Sequence, residues 1–220
     1  MSEDTSTTTG TTGAAGTGTA GPAGTSARQA DEAREDVQRD VPLAVEVAAE
    51  VQAFLDTVTH VAAGDGEGAA IPLLHLALSR VLAVGARLGA TQDVVPSDRF
   101  EPDAGPEVDM DPLRLSLVAA MGEGDGYTET VDPQGSTDVA WGSVADDVTG
   151  VAADLAHGLR HLEAGRVGEA LWWWQYAYLA TWGQRGTAAQ RALVSLMAHA
   201  RLDVDADVAA EAEFDALHAR

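Results

Sequence analysis

Gly168-Glu169-Ala170-Leu171-Trp172-Trp173-Trp174-Gln175-Tyr176-Ala177-Tyr178-Leu179-Ala180-Thr181-Trp182 holds four of the five tryptophans and two of the three tyrosines of this 220-residue chain. At about 100° per residue, Leu171, Trp174, Tyr178 and Trp182 share one face of a helix. Ala170, Trp173, Ala177 and Ala180 share a second, and Trp172, Tyr176 and Leu179 a third. A helix apolar all round belongs inside a protein. It is too short to span a bilayer, so other helices must enclose it. The first face is expected in the main core, and small residues on the second let a neighbouring helix come close. For the third, coverage by the hairpin of residues 41–89 is the expected arrangement. Left open, Trp172, Tyr176 and Leu179 would form an aromatic patch of the kind that anchors a partner.

The elements around this hub are helical. Asp40 is placed to cap a helix with Pro42 in its first turn, and Leu43, Val47, Val51, Phe54, Leu55, Val58 and Val61 recur at helical spacing. A Gly-rich break at residues 64–68 separates it from a second helix, from about Pro72 to Gly89, the latter read as a left-handed terminator. The short link predicts an antiparallel hairpin. Residues 91–111 form a long acidic, Pro-rich loop with seven acids and Arg99 as the only base. Neither this loop nor Gly122–Gly126 has the spacing of a twelve-residue calcium loop, so the acids read as solvated surface. A short helix over 112–121 precedes an irregular stretch that Val131, Val139 and Trp141 would pin, a brief strand pair being the alternative.

Ser143 caps a helix in which Val144, Val148, Val151, Leu155, Leu159 and Leu162 form the cleanest apolar stripe of the chain. The turn Ala164-Gly165-Arg166 leads into the tryptophan helix, which Gly183 and Gly186 are read as ending. A last helix covers Thr187 to about Arg201. The chain is thus read as all-α: a single-domain bundle of about five long helices around a buried Trp-rich helix, spanning residues 37–203. Residues 1–36, rich in Thr, Gly and Ala, bury too little to order themselves and form a disordered tail. Residues 204–220 are an acidic C-terminal tail that Phe214 and Leu217 would dock as a short helix.

Composition limits function. Thirty-five acids stand against thirteen bases, all arginine, for a formal net charge of −22. That field repels phosphate backbones and anionic lipid, so neither direct nucleic-acid binding nor a membrane surface is expected. Without cysteine, disulfides, thiolate catalysis and Cys-ligated metals are excluded. Without lysine, so are Walker loops and Schiff-base enzymes. The start Met1-Ser2-Glu3-Asp4 lacks the pattern of a signal peptide, and no later segment reads as a membrane helix, which predicts a cytoplasmic protein.

One polar constellation carries chemical potential. Asp147, Asp154, His157 and His161 lie along one flank of the Ser143–Glu163 stripe, and His157 to His161 has the i, i+4 spacing of a helical metal pair. Two imidazoles and two carboxylates are a donor set for a divalent ion. The border of an amphipathic helix is also where solvated Asp and His ordinarily sit, and Gly158 stands where a metalloprotease motif needs Glu. The other histidines are isolated, and no cofactor is expected.

Two resemblances follow from these residues. Gly158, Gly165, Ala170, Trp174 and Ala177 are spaced like the small and aromatic positions of a tetratricopeptide repeat, and a single copy implies a tight helix hairpin. Over residues 41–203, Phe54-Leu55, Ala70-Ile71-Pro72-Leu73-Leu74, Asp93-Val94-Val95-Pro96, Arg99-Phe100-Glu101-Pro102, Ala145-Asp146-Asp147-Val148, Glu169-Ala170-Leu171-Trp172-Trp173-Trp174-Gln175 and Thr181-Trp182-Gly183 resemble the actinobacterial domain-of-unknown-function family numbered 5063. That resemblance brings no reaction, ligand or catalytic residue. For process it implies only a genetic setting beside recombination-repair genes. The reading the sequence favours is a non-enzymatic helical domain for protein interaction or regulation, with a protein partner of unknown identity. The alternatives are an acidic partner of a basic protein in DNA metabolism, and a metal-dependent enzyme using the Asp/His flank.

Overall fold

The computed structural model describes residues 22–65, 68–90, 94–96, 105–106, 108–130, 135 and 137–202, with side chains from residue 40 onward. The chain divides into two units, Met1–Asp36 and Val37–Arg220, and the core lies in the second. Residues 1–21, the bulk of the expected tail, fall outside the described residues, as do the acids at 98–104 and everything after Leu202.

Among the described residues, six α-helices and one strand pair follow in the order α1 (Pro22–Ala62), α2 (Ala70–Ala90), α3 (Asp111–Met121), β1 (Gly126–Thr130), β2 (Val139–Ser143), α4 (Val144–Glu163), α5 (Val167–Ala177) and α6 (Gly183–Leu202). The chain is an all-α protein with a small two-stranded sheet. The first helix begins at Pro22 rather than at Asp40, so Pro42 lies inside it. Residues 27–35 consist of Ala, Arg, Gln, Asp and Glu, most of them strong helix formers, which carries the helical backbone back past the expected cap.

Helices α1 and α2 form the antiparallel hairpin. Arg87 makes two hydrogen bonds to Glu46, and Arg80 reaches Glu50 at 2.8 Å, so the partners run in opposite directions along the two helices. By length and composition α2 could cross a membrane, contrary to the expectation that no segment could. Its Leu74, Ala77, Leu78, Val81, Gly85 and Leu88 are buried in the core, and its two arginines are paired to α1.

Helix α4 packs against α5, α6 and α3, while α2 packs against α6 and α5. The N-terminus of α4 is capped twice over. Ser143 Oγ accepts from the Asp146 N–H at 3.1 Å and donates to Asp125, whose other carboxylate oxygen accepts from the Ala145 N–H at 2.8 Å. Asp125 thus serves the helix. Gly165, at φ 76°, makes the turn into α5, and the tight hairpin implied by the repeat-like spacing is present. A Cβ on Gly158 of α4 would sit 2.1 Å from Nε1 of Trp174, so only glycine admits the indole there.

The hub differs from expectation at its end. A π-helical segment, Tyr178–Trp182, joins α5 directly to α6, with no break at Gly183 or Gly186. Those glycines are close-approach positions: a Cβ at Gly183 would lie 2.4 Å from the Tyr178 carbonyl oxygen. Gly89, read as a terminator of α2, lies within that helix, and a Cβ there would approach the Tyr178 ring to 3.1 Å. Gly89 and Gly183 mark where the Tyr178 ring seats against backbone, and Gly186 where Leu82 of α2 does. Nearby, a Cβ on Gly85 would meet both Trp182 and Tyr178 at 2.4 Å.

The strand pair is antiparallel, with Thr128 opposite Trp141 and Thr130 opposite Val139. Val139 and Trp141 do not pin this stretch, as expected of them; they are 65% and 86% exposed. Val131 lies outside the described residues. The inner face does the pinning through Tyr127, whose hydroxyl donates to Asp147 and whose ring lies where Gly142 would carry a Cβ. In a two-stranded sheet only one face can meet the core, and alternation turns Trp141 outward once Tyr127 turns inward.

Candidate functional site

The hub's indoles are fixed by hydrogen bonds to carbonyls that already serve helices. Trp174 donates to the Leu155 carbonyl at 3.0 Å, Trp173 to the Asp154 carbonyl at 2.9 Å, and Trp182 to the Trp174 carbonyl at 3.3 Å. Each of these rings therefore satisfies its one donor. The first face is core: Leu171, Trp174 and Trp182 are buried and Tyr178 half-buried. On the second, Ala170 and Ala177 are buried, Trp173 is half-buried and Ala180 exposed.

Among the described residues the third face is not covered, against expectation. Tyr176 is 53% and Leu179 58% exposed, and Trp172, half-buried, stacks on Tyr176 with centroids 5.2 Å apart and ring planes 7° apart. The α1–α2 hairpin meets the hub elsewhere, with Gly85 and Gly89 taking the Tyr178 ring. Gln175 completes the junction, donating to the Leu88 carbonyl at 2.6 Å and accepting from the Val94 N–H at 3.0 Å. Helix α2 ends at Ala90, and Tyr176 and Leu179 remain at the surface.

The four flank residues are not brought together. Asp147 to His161 is fourteen positions, which at 1.5 Å rise each separates them by roughly 21 Å, far beyond one coordination sphere. Asp147 pairs with Tyr127, and Asp154 accepts from the Thr181 hydroxyl at 2.6 Å. Only His157 and His161 meet, with their Nε2 atoms 3.3 Å apart. Arg160 Nη2 lies 2.7 Å from His157 Nδ1. A guanidinium only donates, so His157 Nδ1 accepts and its Nε2–H points to His161. The buried His161 and the His157 ring, 4.0 Å from the Trp173 ring, tie α4 to the hub. Among the described residues no group of three or more His, Asp or Glu is placed to hold a metal ion.

Electrostatics mark the Tyr127–Asp147 pair. Burial, and then the adjacent carboxylate, push the Tyr127 phenol well above its ordinary range. Burial likewise raises the Asp147 carboxyl, assisted by the charges of Glu129 and Asp146 and opposed by the Tyr127 hydrogen bond and Arg185. At the surface, Arg87 holds the Glu46 carboxyl below its usual range. A cleft of about 60 Å³ lies between α1 and α2, lined by Glu50, Phe54, Leu73, Leu76 and Arg80 among others. That is room for about two waters.

Sequence reading missed three of these features. The Gln175 clamp and the Tyr127–Asp147 pair join residues 87 or 81 and 20 positions apart, and nothing in periodicity signals such partners. The outward position of Trp141 is legible only through strand alternation.

Residues 40–199 match the sequence pattern of the family described as "Domain of unknown function (DUF5063)". The crystal structure of protein BF1032 from Bacteroides fragilis has a similar fold, with a TM-score of 0.56 at 16% identity over 76% of this chain and 95% of that one. The comparison with curated proteins found no match.

Proposed function

Starting from the chain's membership of the DUF5063 family, whose description assigns no reaction, we propose that it is a non-enzymatic helical interaction domain, with Trp172, Tyr176 and Leu179 as its contact face. The exposure of Tyr176 on α5 and of Leu179 on the π-helical segment that continues it, within the Trp-rich apolar stretch, carries this reading. A stacked aromatic pair already fixed in one rotameric arrangement loses little entropy on binding, which suits it to anchor a partner. The chemistry-bearing side chains of α4 support the same reading, because each is engaged within the fold: Asp147 with Tyr127 of β1, Asp154 with Thr181 of the π-helical segment, and His157 with Arg160 and His161 of its own helix. An actinobacterial cytoplasm is the proposed setting.

The experiment uses the whole chain as bait in host lysate, beside a Tyr176→Ala/Leu179→Ala double variant. Both side chains are more than half exposed, so the double variant should keep its thermal midpoint within a few degrees. A protein retained by the wild type through a high-salt wash and lost from the folded double variant is the expected result. Retention of the same proteins by both would refute the assignment of this face.

A further inference from the structure

A second surface stands apart from the α5 face. Trp141 is 86% and Val139 65% exposed, two residues apart on β2, and their cross-strand neighbours Thr128 and Thr130 complete the solvent face of the strand pair. An indole so exposed on a sheet leaves about as much apolar area in water as a folded chain can leave, with no gain to the fold. The opposite face needs nothing from it: Tyr127 bonds to Asp147, and Ser143 and Asp125 cap α4. Charge selects the occupant. From Leu115 to Leu159 the sequence has eight acids and neither Arg nor Lys. Of these, the exposed Asp138 directly precedes Val139 at the start of β2, while Glu129, opposite Ala140, belongs to the other face with Tyr127. The arginines nearby answer other groups, Arg114 reaching Asp146 at 3.5 Å and Arg185 and Arg191 acting on Asp147 and Tyr127.

From this combination we infer that the outer face of the β1–β2 pair docks a basic segment of a partner protein, an arginine of which stacks on Trp141. A guanidinium over an indole gains cation–π attraction, and Asp138 together with the acidic field of the surrounding segment adds to it. Both strands lack a neighbour on one side among the described residues, so an extended segment also finds backbone groups to pair with. A second copy of this chain is the wrong occupant, since two bodies of charge −22 repel.

The test uses the full chain and a ten-residue peptide of alternating arginine and threonine at about 0.15 M salt. Trp141→Ala removes a side chain that holds nothing in place, so folding is unaffected. Trp141→Ala should weaken peptide binding about three- to five-fold, as an exposed cation–π contact does, while Trp141→Phe retains part of the affinity. The emission attributable to Trp141, taken as the difference between the wild type and Trp141→Phe, should become less accessible to acrylamide when peptide is bound. Equal affinities for the wild type and Trp141→Ala, no binding of the peptide, or Trp141-dependent dimers in sedimentation would each overturn the inference.

Discussion

A carboxylate and a phenol illustrate how one residue's surroundings set its chemistry. Asp147 is half-buried against Tyr127, with Glu129 and Asp146 nearby, and its folded-state pKa is raised. The native state then keeps a proton that the unfolded state has released, so this group's contribution is complete below the ordinary carboxylate range. It is lost as pH rises through the raised value. Glu46, held down by Arg87, contributes in the opposite sense. Because such groups oppose one another in the whole protein, the sign for Asp147 emerges only in a difference. The stability of Asp147→Asn relative to wild type should increase as pH is raised from the ordinary carboxylate range to neutrality, measured by urea denaturation across that range. A difference that is flat or falls with pH would show that the charge on Asp147 is not penalised. None of this was readable from residue 147, which in sequence is one of four acids and histidines on a helix flank. Its distance from His161, by contrast, follows from helical rise alone, and that arithmetic needs only the two residue numbers.

Among the elements, those with one dominant period were legible and those fixed by distant partners were not. The stripe Val144 to Leu162 predicts α4 with its Ser143 cap, and both are present. The glycines 89, 183 and 186 look like terminators because glycine ends helices, yet here Gly89 and Gly183 make room for Tyr178 and Gly186 for Leu82 of α2. The same ambiguity hid the join of α5 to α6. Gln175 shows what such a join needs: a side chain satisfying the carbonyl of Leu88, in the last turn of α2, and the N–H of Val94. Gln175→Leu keeps the volume but removes both hydrogen bonds, and should cost about 1–3 kcal/mol, as loss of a buried hydrogen-bond partner does. Amide exchange at Val94 should quicken at the same time. Unchanged exchange there would mean that the clamp does not hold the chain leaving α2.

At the scale of the molecule, the fold rests on one apolar segment enclosed on two sides and open on the third. Sequence periodicity identified the three faces, because the positions of Leu171 and Trp174 follow from 3.6 residues per turn, and Trp182 is buried with them although the π-helical segment intervenes. It could not say which face neighbouring helices would reach, since that depends on where α2 stops and how α1 and α2 sit against α5 and α6. The acidity of the chain constrains partners rather than fold, and the structure turns it into a specific expectation only where an exposed aromatic stands among the acids, at Trp141. The most direct measurement of the central claim is chemical denaturation of Trp174→Ala beside Leu179→Ala. Trp174 is fully buried and Leu179 is 58% exposed, although both belong to the same continuous apolar segment. The first substitution should cost about 3–5 kcal/mol, as large core truncations do, and the second about 0.5 kcal/mol, as surface changes do. Comparable losses from the two would mean that the third face is core and that the hub is closed on every side.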